Sequence, residues 1–127
     1  MEILDRSQFI LVGIIHTITD REILDWFFLR NMHITDTGLG HLATMNKLVQ
    51  LHIRWCPRIT DVGLESIMRV KSLRHLSVAG LHQITARSLL CLVEMKLDEL
   101  ELTNCPAVSN ELVMFLSARL PRCNIIF

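Results

Sequence analysis

An α/β fold of stacked, repeating coils is what this 127-residue sequence predicts, and three observations carry the prediction. First, a set of mostly apolar residues recurs. Leu48, Leu51, Ile53, Cys56 and Ile59 are answered 25 positions on by Leu73, Leu76, Val78, Leu81 and Ile84, and 24 further on by Leu97, Leu100, Leu102, Cys105 and Val108. Second, the apolar period changes inside each unit. Leu51 and Ile53 alternate with Gln50, His52 and Arg54, as in a strand with one buried face, whereas Leu64, Ile67 and Val70 follow at helical spacing. Third, no single unit can bury its own apolar stripe, so neighbouring units must stack.

A period of this length, with one strand and one helix in each unit, is the mark of a leucine-rich repeat. The predicted architecture is a right-handed leucine-rich-repeat solenoid, a horseshoe segment with parallel strands on its concave face and helices on its convex face. Strands are expected near 25–29, 50–54, 75–79 and 99–103. The helical runs are Leu64, Ile67 and Val70, then Leu89, Leu92 and Met95, then Leu112, Phe115 and Leu116. Thr35 with Asp36, Thr60 with Asp61, and Ser109 with Asn110 stand just ahead of helical runs, where side-chain oxygens cap free N–H groups. Leu81 replaces the Cys or Asn of its slot and cannot bond the turn backbone, so that turn is expected to rest on packing alone.

The first coil is the least regular. Ile23, Trp26, Phe28, Asn31 and Ile34 repeat the pattern 25 positions before the second coil. Locally, Thr19 and Glu22 form a capping box ahead of an apolar run, which favours a helix. The repeat register favours a strand with Trp26 and Phe28 inward, and stacking overrides local propensity. Two parts are therefore expected: residues 1–22 as an N-terminal cap, and 23–127 as a repeat domain of about four coils, the last one capping. The tail Ile125, Ile126 and Phe127 is expected to fold back on the last coil.

Composition narrows the function. Thirteen basic side chains balance thirteen acidic ones, whereas binding to a phosphate backbone relies on surplus Lys and Arg, so nucleic acid is not expected as a partner. The run from Phe9 to Ile15 falls well short of the ~20 apolar residues that span a bilayer, and it lacks the flanks of a signal peptide. No membrane partner is expected. Cys56 and Cys105 share a slot two coils apart, so at ~4.8 Å per strand their backbones are roughly 10 Å apart, beyond the ~7 Å limit for a disulfide. Free thiols point to a reducing compartment, cytoplasmic or nuclear.

Catalysis leaves no motif: there is no phosphate-binding glycine loop, His-Glu-x-x-His, Cys-x-x-Cys or Gly-x-Ser-x-Gly. The chain reads as a non-enzyme without cofactor or metal. His52, His75, Glu99 and Glu101 gather on one face, yet such residues are ordinary on a solvated sheet. The expected site is instead a protein-binding surface on the concave face. It comprises Phe27, Leu29, Gln50, His52, Arg54, His75, Ser77, Glu99, Glu101 and Thr103, with Trp55 at the rim as an anchor or packed on a neighbouring turn. The columns are expected to join Asp25 to Gln50, Phe27 to His52 and Leu29 to Arg54, with small Ser77 and Ala79 leaving a shallow dip.

The runs Ile34-Thr35-Asp36-Thr37-Gly38-Leu39, Arg54-Trp55-Cys56, Leu76-Ser77-Val78-Ala79-Gly80, Glu99-Leu100-Glu101-Leu102-Thr103-Asn104-Cys105-Pro106 and Leu120-Pro121-Arg122-Cys123 resemble the cysteine-containing repeats of the F-box/LRR-repeat family. The resemblance covers about four fifths of the chain, from residue 23 to 127. It implies a substrate-binding role in an SCF-type ubiquitin ligase, with the repeats gripping a protein substrate or regulator and an F-box docking to Skp1 and a cullin. Residues 1–22 do not resemble an F-box, so the chain is expected to be a C-terminal piece or short form. The alternative is a stand-alone leucine-rich-repeat scaffold or inhibitor with no ubiquitin role.

Overall fold

The structure, a computed structural model, describes the backbone of residues 26–30 and all of 33–45 and 47–127. Strands β1 (Trp26–Arg30), β2 (Gln50–Arg54), β3 (His75–Ser77), β4 (Glu99–Glu101) and β5 (Asn124–Ile126) form one sheet in chain order, every pair parallel. Helices α1 (Asp36–Leu42), α2 (Asp61–Ile67), α3 (Ala86–Leu90) and α4 (Asn110–Arg119) fall between successive strands, and a 3₁₀ turn, Cys91–Glu94, extends α3. No helix among the described residues is long and apolar enough to cross a membrane.

Alternation in the strands and helical spacing between them meet in one core. Leu51, Ile53, Leu76, Val78, Leu100 and Leu102 are buried together with Leu39, Leu64, Leu89 and Leu112. Leu92 and Met95 join them, as their spacing predicts, and Leu81 is fully buried in its turn. In α4 the inward residues are Leu112, Val113 and Leu116. Phe115, expected inward, is 37% exposed, and the Arg119 guanidinium lies 4.9 Å from the centre of its ring. Val113, which the expected run of Leu112, Phe115 and Leu116 did not include, is buried in its place.

Strands β2, β3 and β4 are each followed by a residue in the left-handed region. Trp55, Gly80 and Asn104 hold one repeat slot, with φ of 55°, 72° and 57°. Gly and Asn are the types that adopt this conformation at least cost, whereas Trp is an outlier there. Gly80 has a second reason to be glycine: a Cβ would stand 2.5 Å from the Trp55 indole, which lies against it. Backbone bonds carry the ladder on past the strand ends, from Trp55 N–H to the Ala79 carbonyl at 3.0 Å and from Gly80 N–H to the Thr103 carbonyl at 2.9 Å.

The caps divide into two kinds. Thr60 accepts the Val62 N–H and Ser109 accepts the Leu112 N–H, as ordinary N-caps do. Thr35 and Thr85 make no such cap bond. The aspartates that follow Thr35 and Thr60 reach into the next coil. Asp36 accepts Thr60 N–H at 2.8 Å and the Thr60 hydroxyl at 2.5 Å. Asp61 accepts Thr85 N–H at 2.7 Å and the hydroxyls of Thr85 and Ser88, both at 2.6 Å. Burial opposes the Asp61 charge, but the Ser88 and Thr85 bonds, with help from Arg87, outweigh it and hold its carboxyl below the usual range. These carboxylates staple coil to coil.

Two expectations at the ends of the sheet are corrected. The first strand is a strand and not a helix, but its register is one residue away from the expected one. Trp26 pairs with Gln50, Phe27 with Leu51, Phe28 with His52, Leu29 with Ile53 and Arg30 with Arg54. The sequence spacing accounts for it: seven positions separate Phe27 from Ile34, against eight from Leu51 to Ile59 and from Leu76 to Ile84. Because the strand period is two, one missing residue exchanges the columns. At the other end the tail does not fold back, since Asn124–Ile126 continue the ladder as β5. The proposed N-terminal cap, 1–22, and Asp25 lie outside the described residues.

Candidate protein-binding surface

The sheet face opposite the buried strand residues is built from the alternate positions of β2 to β5. One register column joins Gln50, His75, Glu99 and Asn124, and the next joins His52, Ser77, Glu101 and Ile126. Parallel strands ~4.8 Å apart bring such residues within reach of one another. Gln50 and Asn124 are exposed; His52, Arg54, His75, Glu99, Glu101, Thr103 and Ile126 are half-buried, and Ser77 is buried. The face thus combines all the sequence-predicted residues of β2, β3 and β4. Phe27 and Leu29 depart: they stand in the register columns of Leu51 and Ile53, while Trp26, Phe28 and Arg30 hold the positions beside Gln50, His52 and Arg54.

The centre of the face is a hydrogen-bonded network. Arg54 Nη2 donates to Glu101 Oε1 at 2.5 Å, across the intervening coil. Ser77 makes that crossing feasible, because its side chain is small and its hydroxyl donates to the same oxygen at 2.7 Å. The expected dip over Ser77 and Ala79 is thus bridged by a charged pair. With Arg54 38% and Glu101 19% exposed, the pair is only partly screened, so its charge-assisted bonds fix the two side chains in place. Beside it His75 Nδ1 lies 3.3 Å from Glu99 Oε2. Burial, reinforced by Arg54, lowers the His52 pKa against the opposing pull of Glu101 and Glu99. His52 is therefore a neutral hydrogen-bonding group near pH 7.

Trp55 packs on the neighbouring turn and stays partly exposed. Its ring packs on Gly80 and stands 5.9 Å from the His82 ring, tilted by 40°, yet it remains 39% exposed. It forms one wall of an open groove of about 470 Å³ that Asn104, Pro106 and Phe127 also line. Among the described residues no group of three or more His, Cys, Asp or Glu is placed to hold a metal ion. Cys56 and Cys105 are buried thiols in no disulfide, with the Cys105 thiol 3.0 Å from the Val78 carbonyl and pushed up in pKa by burial.

The family model for the Leucine Rich repeat matches residues 44–68. That span holds the end of the first coil, β2 and α2, so the repeat read from periodicity is a detected leucine-rich repeat, and the parallel α/β architecture fits that type of fold. Leucine-rich repeats are typically non-catalytic and bind proteins.

Reading the sequence missed three contributors. Asn124 and Ile126 extend the face by one strand, and the signal was present, since Ile125 stands 25 positions after Leu100. Gly80 seats Trp55, and its signal was the Gly and Asn of its repeat slot.

Proposed function

We propose that this chain is the substrate-binding repeat region of an F-box adaptor of an SCF-type ubiquitin ligase, its coils wound as a right-handed solenoid with the open sheet face on the concave side. The carrying observation is the Arg54–Ser77–Glu101 network, which holds charged side chains in fixed positions on an otherwise open surface. Preorganised polar groups flanked by an aromatic residue bind protein at small entropic cost. The ligase role rests on the family resemblance of residues 23–127, whose runs resemble the C-terminal end of F-box/LRR-repeat protein 16, the stretch from Glu99 to Cys123 being the most specific part of that likeness. Docking to Skp1 then falls to an F-box outside these residues. Four cysteines outside any disulfide fit a cytoplasmic or nuclear setting.

Two experiments test the two parts. Co-purification of Skp1 and a cullin with the full-length gene product supports the adaptor reading, and their absence favours a stand-alone scaffold or inhibitor. For the face, the double exchange Arg54→Glu with Glu101→Arg keeps an ion pair while reversing its polarity. A captured protein should be lost with this exchange and kept with Glu65→Lys on the helical side. The reverse pattern would assign binding to the helices.

A further inference from the structure

Zero net charge conceals a separation of charge. Arg69, Lys71, Arg74, Lys96, Arg119 and Arg122 are all exposed, and all lie in or beside the segments that lead from a helix into the next strand. Only Glu94 and Asp98 oppose them on that rim among the described residues. The opposite rim, at the helix N-termini, carries Asp36, Asp61 and Glu111, with Arg58 and Arg87 beside them. Cations close to a helix C-terminus complement its dipole, which accounts for Arg69 and Arg119. It does not account for Lys71, Arg74, Lys96 and Arg122, which lie farther on.

These four converge on two adjoining depressions. One, of about 480 Å³, is lined by Arg74, Lys96, Arg119 and Arg122 along with Glu94 and Asp98. The other, of about 300 Å³, is lined by Lys71, Lys96 and Glu94. Arg74 Nη1, in the larger hollow, donates at 3.0 Å to the carbonyl of Lys96, a residue that lines both. Between the cations lie apolar floor groups, Met95 and Leu97 in the larger hollow and Val70 and Leu73 in the smaller.

We propose that this rim is a second protein-docking surface, separate from the open sheet face, and that its occupant is an acidic protein segment: a stretch of Asp and Glu with interspersed apolar side chains. Charge complementarity selects the acidic residues. The apolar floor selects side chains that a nucleic-acid backbone lacks. Glu94 and Asp98, set among the cations, repel an unbroken phosphate row but leave room for discrete carboxylates. Arg74, Arg119 and Arg122 offer planar donors that take carboxylates in bidentate fashion.

The test uses the full chain and a fluorescein-labelled peptide of alternating Glu and Leu, read by anisotropy at low and at physiological salt. The variant is Lys96→Glu with Arg122→Glu, neither of whose side chains makes a hydrogen bond that the fold needs. Lys96→Gln with Arg122→Gln serves as a milder version should the first fail to fold. Binding should weaken about tenfold or more in the variant and more gently in the Gln form, and should fall with added salt. It should be unchanged by Arg87→Glu on the opposite rim and by the Arg54 and Glu101 exchange, so this proposal and the one for the open face fail independently. Absence of peptide binding, equal loss with Arg87→Glu, or tighter binding of a single-stranded oligonucleotide or of phosphatidylserine vesicles under the same salt would overturn it.

Discussion

Removing the Asp61 carboxylate should separate the second coil from the third. Asp61 accepts three hydrogen bonds at 2.6 to 2.7 Å, two from Thr85 and one from Ser88, all across a coil boundary. A hydrogen bond to a charged group contributes about 1.5–3 kcal/mol when one partner is removed, but these three share two oxygens and the site is partly solvated, so Asp61→Ala should cost roughly 2–3 kcal/mol in all. In a chain of this size that lowers Tm by about 6–12 °C. Asp61→Asn keeps one acceptor and should cost about half as much. The sign of the pH dependence follows from the lowered carboxyl pKa. The unfolded chain binds the proton more tightly, so the contribution of Asp61 is complete above the ordinary carboxylate value of about 3.9 and disappears as pH falls through the lower, folded value. Urea unfolding of wild type and Asp61→Asn should therefore differ by a constant amount from pH 7 to pH 5 and converge in stronger acid. A difference that grows on acidification, or an Asp61→Ala protein as stable as wild type at pH 7, would refute the staple.

The same slot in the third coil is Ala86, so the boundary with the fourth coil lacks a carboxylate; Ala86→Asp should reach Ser109 and raise stability by about 0.5–1 kcal/mol in the same unfolding assay. Gly80→Ala meets both a left-handed backbone and the Trp55 ring, so it should cost roughly 1–3 kcal/mol and red-shift Trp55 fluorescence as the indole is displaced. An unshifted spectrum with unchanged Tm would contradict the seat described for Trp55. The His52 imidazole should titrate below its usual value by NMR, and Arg54→Ala, by removing a cation that disfavours its charge, should raise the midpoint. A midpoint at or above the usual value would reverse that account of its surroundings.

The repeat was legible because it is a periodic apolar signal, and stacking leaves such a signal little freedom. Leu51, Leu76 and Leu100 are register partners, and the polar residues between them share the opposite face. The register of the first strand escaped because the spacing from Phe27 to Ile34 is one residue shorter than in the later coils, and a fixed step of 25 carried the error into the assignment of Phe27 and Leu29. The charged network escaped for a different reason. Sequence spacing placed His52 near Glu101, but side-chain reach decided the partner, and the longer Arg54 crosses Ser77 to take the carboxylate. The aspartate staples were visible as recurring Thr-Asp pairs and were read as helix caps, because their acceptor geometry toward a threonine 24 residues later exists only once the coils are stacked.

The central claim, that the open sheet face binds protein, is tested most directly by site-specific photo-crosslinking. A benzophenone amino acid placed at Gln50 or Thr103 on that face, and at Glu65 on the helical side, reports which surface a bound protein covers. The account predicts the same crosslinked protein from both Gln50 and Thr103 and none from Glu65. A crosslink from Glu65 alone would contradict it.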